Sequence, residues 1–155
     1  MINQTRLNRH KVDGSEKRIN GLSLFKFKIL PQWEDEINEQ GGEFQINFKC
    51  SSLDLVQQLW ERLIFKVVTS EFPESDLIAG VRMLDKSATE RENCFRIEIW
   101  VKYNDEKLEV GEKMRKYIEV NFSQVLCDED SADFMGKGKD NATDPSAWIV
   151  FKPHS

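Results

Sequence analysis

The chain is poor in the side chains that most chemistry needs. It has 155 residues but only three cysteines and two histidines. Cys50, Cys94 and Cys127 are scattered, odd in number and form no CxxC pair, so neither a disulfide framework nor a zinc site is expected and a reducing compartment suits the chain. His10 and His154 lie near the two ends. No Ser/His/Asp or Cys/His set can be assembled around either, so nothing points to an enzyme. The run Gly136-Lys137-Gly138-Lys139 is too short for a phosphate-cradling loop and lacks the strand-to-helix setting. No cofactor is expected. No apolar run approaches the roughly 18–20 residues that a membrane span needs. The opening MINQTRLNRHKVDG has no apolar stretch of the signal-peptide kind. A cytoplasmic protein without membrane contact is the expectation. A basic excess is also lacking. Net charge is −5, whereas proteins that grip nucleic acid through many phosphates are usually basic. Any nucleotide must be held by a few focused cations and base-specific contacts.

Hydrophobic residues make up 39% of the chain and charged residues 32%, the balance of a single globular domain. Residues 1–20 carry Arg6, Arg9, His10, Lys11, Lys17 and Arg18 with few apolar partners. They read as a mobile basic arm, with a weak RNA-contacting tail as the alternative. Residues 21–155 form the domain. Glu43 to Cys50 alternates, with Phe44, Ile46, Phe48 and Cys50 on one side, which predicts a half-buried strand after the Gly41-Gly42 turn. Leu53 to Val68 has helical spacing, with Ser52 as cap and Asp54 in the first turn. A strand is expected over 77–84, a polar loop over 85–93 and a strand over 95–103. A second helix is expected over 105–121, with Leu108, Met114 and Ile118 inward. A polar loop over 127–146 and a last strand over 147–151 complete the pattern. Alternating strands imply a sheet with one packed and one open face. Two helices covering one face make an α+β two-layer domain, and the open face is where function should sit.

Two tryptophans stand out. Trp100 falls on the polar face beside Arg96 and Glu98, either lying over its neighbours at a sheet edge or forming an aromatic surface in a ligand groove. Trp33 lies in the non-periodic segment Pro31-Gln32-Trp33-Glu34-Asp35-Glu36, either folded back on the domain or standing as an aromatic plate beside a carboxylate. Such a plate suits a planar cationic ligand with N–H donors. Stacking and cation–π attraction contribute on the order of 1–3 kcal/mol per contact.

The segment Pro31-Gln32-Trp33-Glu34-Asp35-Glu36-Ile37-Asn38, followed by Gly41-Gly42-Glu43-Phe44, resembles the central signature of the translation initiation factor 4E family. Leu53-Asp54, Trp60 and Phe72 continue the resemblance without a gap, as do Ile78-Ala79-Gly80 and Ile97-Glu98-Ile99-Trp100. The match is firm over roughly residues 22–123 and looser to 151. It implies a curved antiparallel sheet with helices on the convex face and a concave face that binds the 7-methylguanosine cap of messenger RNA in translation initiation. By this resemblance Trp33 stacks on the base, Glu34 accepts from its N1 and N2 edge, and Trp100 packs near the methyl group. Lys86 and Arg96 hold the phosphates, and Lys137 and Lys139 add basic contacts from a late loop. Scaffold or repressor peptides are the implied partners on the helical face.

The resemblance also breaks in places. The family encloses the base between two tryptophans, the first from a segment well upstream; no Trp precedes Trp33, and residues 1–21 are too few to supply the family's first strands and first helix. An incomplete chain, a natural short paralogue and a substitute aromatic all remain open. A one-sided stack would lose on the order of 1–3 kcal/mol, ten- to a hundredfold in affinity. Missing strands would expose an edge open to self-association. Glu43 stands where many members carry a phosphate-helping cation. Arg62 replaces the acid that holds a basic partner peptide, beside a Trp60 expected in the core. The alternative function is a protein-interaction or translation-regulatory factor of the same fold with weak or no cap binding.

Overall fold

Alternation of polar and apolar residues builds a sheet with two unlike faces, and it governs the structure, a computed structural model that describes residues 9–12, 15–18, 20–50, 52–87, 94–127, 132–134 and 149–154. In chain order the elements are β1 (Arg9–Val12), β2 (Ser15–Arg18), β3 (Gly21–Phe25), β4 (Gly42–Cys50), α1 (Leu53–Val68), β5 (Ile78–Asp85), β6 (Cys94–Val101), α2 (Glu109–Cys127), β7 (Ala132–Phe134) and β8 (Ile149–Pro153). One curved antiparallel sheet runs β3-β5-β6-β4. Along the far edge of β4, β8 pairs with Gly42–Ile46 and β7 with Phe48–Cys50. The basic segment expected as an arm contains the hairpin β1–β2, which forms a sheet of its own with Arg9 opposite Arg18 and His10 opposite Lys17.

The apolar face of the sheet is the core. Phe44, Ile46, Phe48, Val81, Met83, Phe95, Ile97 and Ile99 are buried and pack with Leu55, Val56, Leu59, Trp60 and Leu63 of α1 and Met114, Ile118 and Phe122 of α2. The helical residues recur at the three- and four-residue spacing that makes one face. Burying each large side chain contributes about 1.5–3 kcal/mol, so both helices are held to one side of the sheet. Trp60 is part of this core, as expected. Ser52 caps α1, its Oγ accepting from the Leu55 N–H at 3.3 Å.

Several boundaries moved. α2 begins at Glu109 rather than 105, because Asp105 starts a turn instead: its Oδ1 accepts from the Lys107 N–H at 2.9 Å. Leu108 lies in that turn and is exposed, not in the core. α2 then runs through Cys127, and β7 lies within the stretch expected to be loop. A 3-10 turn, Ser75–Leu77, shifts β5 one residue late. The last strand runs to Pro153, two residues beyond expectation, because it follows the edge of β4. The edge strand β3 is too short for its period to show.

Candidate functional site

On the face away from the helices, strand register groups the polar residues. Glu43 of β4 stands between Trp100 of β6 and Lys152 of β8, Arg82 of β5 faces Glu98, and Arg96 faces Asn47. Trp100 is on this face, as its alternation requires, but it is not solvent-facing: only 3% of it is exposed. Ile29 and Ala79 pack on it, and the edge of Phe25 meets it at 5.3 Å. Gly80 makes room for that contact, since a Cβ there would fall 2.4 Å from the Phe25 ring. The Trp100 Nε1–H donates to Glu98 Oε2 at 3.2 Å. Glu98, also expected in solvent, is 2% exposed and is compensated by Arg82, whose Nε and Nη2 lie 2.7 Å from the same oxygen. The Arg82 guanidinium rests 5.1 Å from the Trp100 ring centroid, a cation–π contact.

The segment between β3 and β4 arches over this floor and carries Trp33. Its shape follows from Asp35 and Asn38. The Asp35 carboxylate accepts from the N–H groups of Leu30 (3.1 Å) and Ile37 (3.0 Å). Asn38 is buried, and its Nδ2 donates to the carbonyls of Leu30 (2.7 Å) and Gln32 (2.8 Å). Two of the acids and amides that resemble a binding motif therefore serve to fold the loop. Trp33 and Glu34 are left outside this wiring. Trp33 is 56% exposed and Glu34 is exposed. Among the described residues, neither the indole nor the Glu34 carboxylate takes a hydrogen bond, ion pair or ring contact.

The two line a cavity of about 390 Å³ with Pro31, Gln32, Glu43, Arg82, Trp100, Lys152, Pro153 and His154. An unengaged aromatic plate and an unengaged carboxylate on the rim thus face a floor of Trp100 and paired charges. Glu43 accepts from Gln45 and lies 3.4 Å from His154 Nε2. Burial pushes the Glu43 carboxyl upward, but the His154 and Gln45 bonds, with the charges of His154 and Arg82, outweigh it and leave the pKa lowered. Glu43 therefore reads as the anionic partner of His154 and Arg82 rather than a free charge facing ligand.

Of the expected site residues, Trp33, Glu34 and Trp100 share this cavity. Arg96 is on the same face but does not line it; its Nε donates to Asn47 Oδ1 at 2.7 Å. Lys86 follows the end of β5, its N–H bonded to the Cys94 carbonyl at 2.8 Å. Lys137 and Lys139 lie outside the described residues. Arg82, Lys152 and His154 were missed. Counting alternation forward from Gly80 places Arg82 on the open face. No local pattern announces His154, which meets Asn38 across 116 positions.

Comparison with known proteins agrees with this architecture. The sequence model of a family described as eukaryotic initiation factor 4E matches residues 10–144. The chain is 34% identical to eukaryotic translation initiation factor 4E of Candida albicans over 133 residues, covering 82% of this chain and 58% of that protein. It is 31% identical to eukaryotic translation initiation factor 4E1 of Drosophila melanogaster over 122 residues, covering 77% and 45%. The chain spans about half the length of the curated relatives it matches. Among solved structures, Schistosome eIF4E complexed with m7GpppG and 4E-BP aligns with a TM-score of 0.53 at 26% identity, covering 74% of this chain and 58% of that one. The complex of C. elegans eIF4E-3 with the 4E-binding protein Mextli aligns at 0.55 with 22% identity over 79% and 66%, a likeness of fold.

Proposed function

The chain belongs to the eukaryotic initiation factor 4E family, and from that premise we propose that its concave pocket binds the 7-methylguanosine cap of messenger RNA in translation initiation. The observation that carries the reading is the unengaged pair on the rim, Trp33 and Glu34, beside the Trp100 floor. A 7-methylated guanine is cationic and planar, so it stacks on an electron-rich indole better than guanine does. Its N1–H and N2–H donors then meet the Glu34 carboxylate in a charge-assisted pair. The buried Trp100 supports the methyl end of the base from below. Phosphates extending along β6 meet cations on that face: Arg82 and Lys152 at the pocket, then Arg96 and Lys86, with Lys137 and Lys139 from the late loop. A relative solved with m7GpppG supports this ligand class.

Tryptophan fluorescence with 7-methyl-GTP and GTP in parallel tests the reading. Methyl-dependent quenching is expected, weakened roughly ten- to a hundredfold in Trp33→Ala. Equal response to the two nucleotides in a folded sample would sink it.

A second reading, a factor acting through its helical face, is favoured by one observation. Phe65 and Val68 of α1 are 62% and 69% exposed, beside a hollow of about 470 Å³ lined by Gln58, Glu61, Arg62, Phe65 and Lys66. A relative solved with m7GpppG and 4E-BP makes a protein partner the natural occupant. Lys66 in that hollow is paired with Glu71 at 3.0 Å and Glu61 lines it too, so Arg62 is the residue that favours an acidic over a basic partner segment. Peptide titration of wild type against Arg62→Glu decides the charge preference.

A further inference from the structure

The end of β8 delivers His154 to the point where the Trp33 loop, the sheet floor and the pocket meet. Its backbone N–H donates to the Gly41 carbonyl at 3.0 Å. Its Nδ1 lies 2.8 Å from the Asn38 carbonyl oxygen, and its Nε2 lies 3.4 Å from Glu43 Oε2. The ring sits against Trp100, with centroids 4.5 Å apart. Asn38 is also the residue whose side chain holds the carbonyls on either side of Pro31. One imidazole therefore joins the loop's internal anchor to two residues of the floor.

Both ring nitrogens face oxygen acceptors. A neutral imidazole has one N–H and can serve only one of them, whereas the imidazolium serves both. We propose that His154, as its imidazolium, is a positioning residue that holds the Trp33 loop over the Trp100 floor, so that the pocket's grip on a planar cationic base loosens when the ring gives up a proton. The cap reading supplies the identity of the ligand; the clamp itself stands on the geometry.

The surrounding charges set the balance. Glu43 from β4 and Glu98 from β6 favour the cation, and Glu34 from the loop lines the same pocket. Arg82 from β5 and Lys152 from β8 oppose it. Burial also opposes it, but the Glu43 bond, the Asn38 carbonyl and the charges of Glu43 and Glu98 outweigh burial and raise the His154 pKa above its ordinary 6.5. With its charge matched by Glu43, the ring supports the loop without presenting a free cation to the base. The clamp is closed at mildly acidic pH and opens as pH rises through that raised value.

The test uses the full chain. The affinity for 7-methyl-GTP is measured from about pH 5.5 to 8.5, the range in which histidine titrates, in wild type, His154→Gln and His154→Ala. The NMR signal of the Trp33 indole N–H is followed over the same range. The ratio of wild type to His154→Gln at each pH cancels the titration of the ligand itself. At the acidic end wild type is expected to bind roughly three- to tenfold tighter than His154→Gln. The ratio should fall towards one as His154 loses its proton, and the indole signal should move with the same midpoint in wild type but not in the variant. A ratio that does not change with pH, or an indole signal indifferent to the His154 titration, overturns the proposal. Equal binding of 7-methyl-GTP and GTP brings down the cap reading instead, and the indole titration then decides the clamp alone. Should His154→Ala not fold, wild type and His154→Gln still give the answer.

Discussion

Trp33 and Glu34 are available to a ligand because Asp35 and Asn38 do the folding of the loop around them. Removing the Asn38 side chain strips partners from two carbonyls, of Leu30 and Gln32. Asn38→Ala is therefore expected to cost about 1–3 kcal/mol of stability and to weaken 7-methyl-GTP binding although Asn38 does not line the cavity; urea denaturation and the fluorescence titration read the two effects. Arg82 is a sharper case. Its partner Glu98 is nearly fully buried, so Arg82→Met leaves that carboxylate with only the Trp100 N–H as a donor. A loss on the order of 3–5 kcal/mol is expected, and the double variant Arg82→Met/Glu98→Leu should recover most of it, since no unpaired charge remains.

Among the elements, the Trp33 loop depends on the strand that follows it. Gly41 lies where the loop enters β4, and a Cβ there would fall 2.2 Å from the Val101 carbonyl oxygen. That neighbour is backbone at the end of β6, a strand paired on both sides, and gives way less easily than a side chain. Gly41→Ala is expected to shift β4 against β6, lowering the thermal midpoint by several degrees, roughly 2–4 °C per kcal/mol lost for a domain of this length, and loosening the pocket. Gly80→Ala meets only the Phe25 ring of the edge strand β3, so the milder melt and a change in Trp100 fluorescence are expected there. At the other side of the sheet, the core positions of α1 and α2 follow their helical period and owe nothing to the pocket, so changes on the outer face of α1, such as Arg62→Glu, should leave cap affinity unmoved.

For the whole molecule, pH acts through the Glu43–His154 pair. His154 is raised from 6.5, so its contribution to stability is full below 6.5 and is lost as pH rises through the folded value. Glu43 is lowered from 4.5, so its contribution is present above 4.5 and is lost as pH falls through its folded value. The pair therefore stabilises most between those ordinary values. The difference in unfolding free energy from urea denaturation between wild type and His154→Gln should be largest there, on the order of 1 kcal/mol, and should shrink on both sides. Charge sets a second property. With a net charge of −5, RNA binding beyond the cap should be weak, and log affinity for a capped oligonucleotide should fall with log salt by only about 0.7 per phosphate held. The outer edge of β3 pairs with no described strand. Sedimentation over a concentration series tests whether that edge recruits a second copy; a monomer at all concentrations would show that it does not.

Much of this was legible in the sequence because it depends on local periodicity. Phe44, Ile46 and Phe48 alternate and are core; Leu55, Leu59 and Leu63 recur at helical spacing and are core; Ser52 caps the helix it precedes. The open face, with Trp33, Glu34 and Trp100 directed to it, followed from the same counting and from the family resemblance. Long-range packing decided the rest. Alternation assigns Trp100 and Glu98 to a face but cannot say that Ile29 from a much earlier loop will pack on Trp100, or that Arg82 and the Trp100 indole will close on Glu98, so both are buried where exposure was expected. Nor can any local rule place His154 against Asn38 and Glu43, across 116 and 111 positions. The sequence by itself determined which residues face the helices and which face the pocket, because side-chain direction is a property of the backbone period. Only the tertiary structure decided which of the pocket-facing residues are spent on one another and which are left for a ligand, because that depends on what the distant ends of the chain bring to the same place.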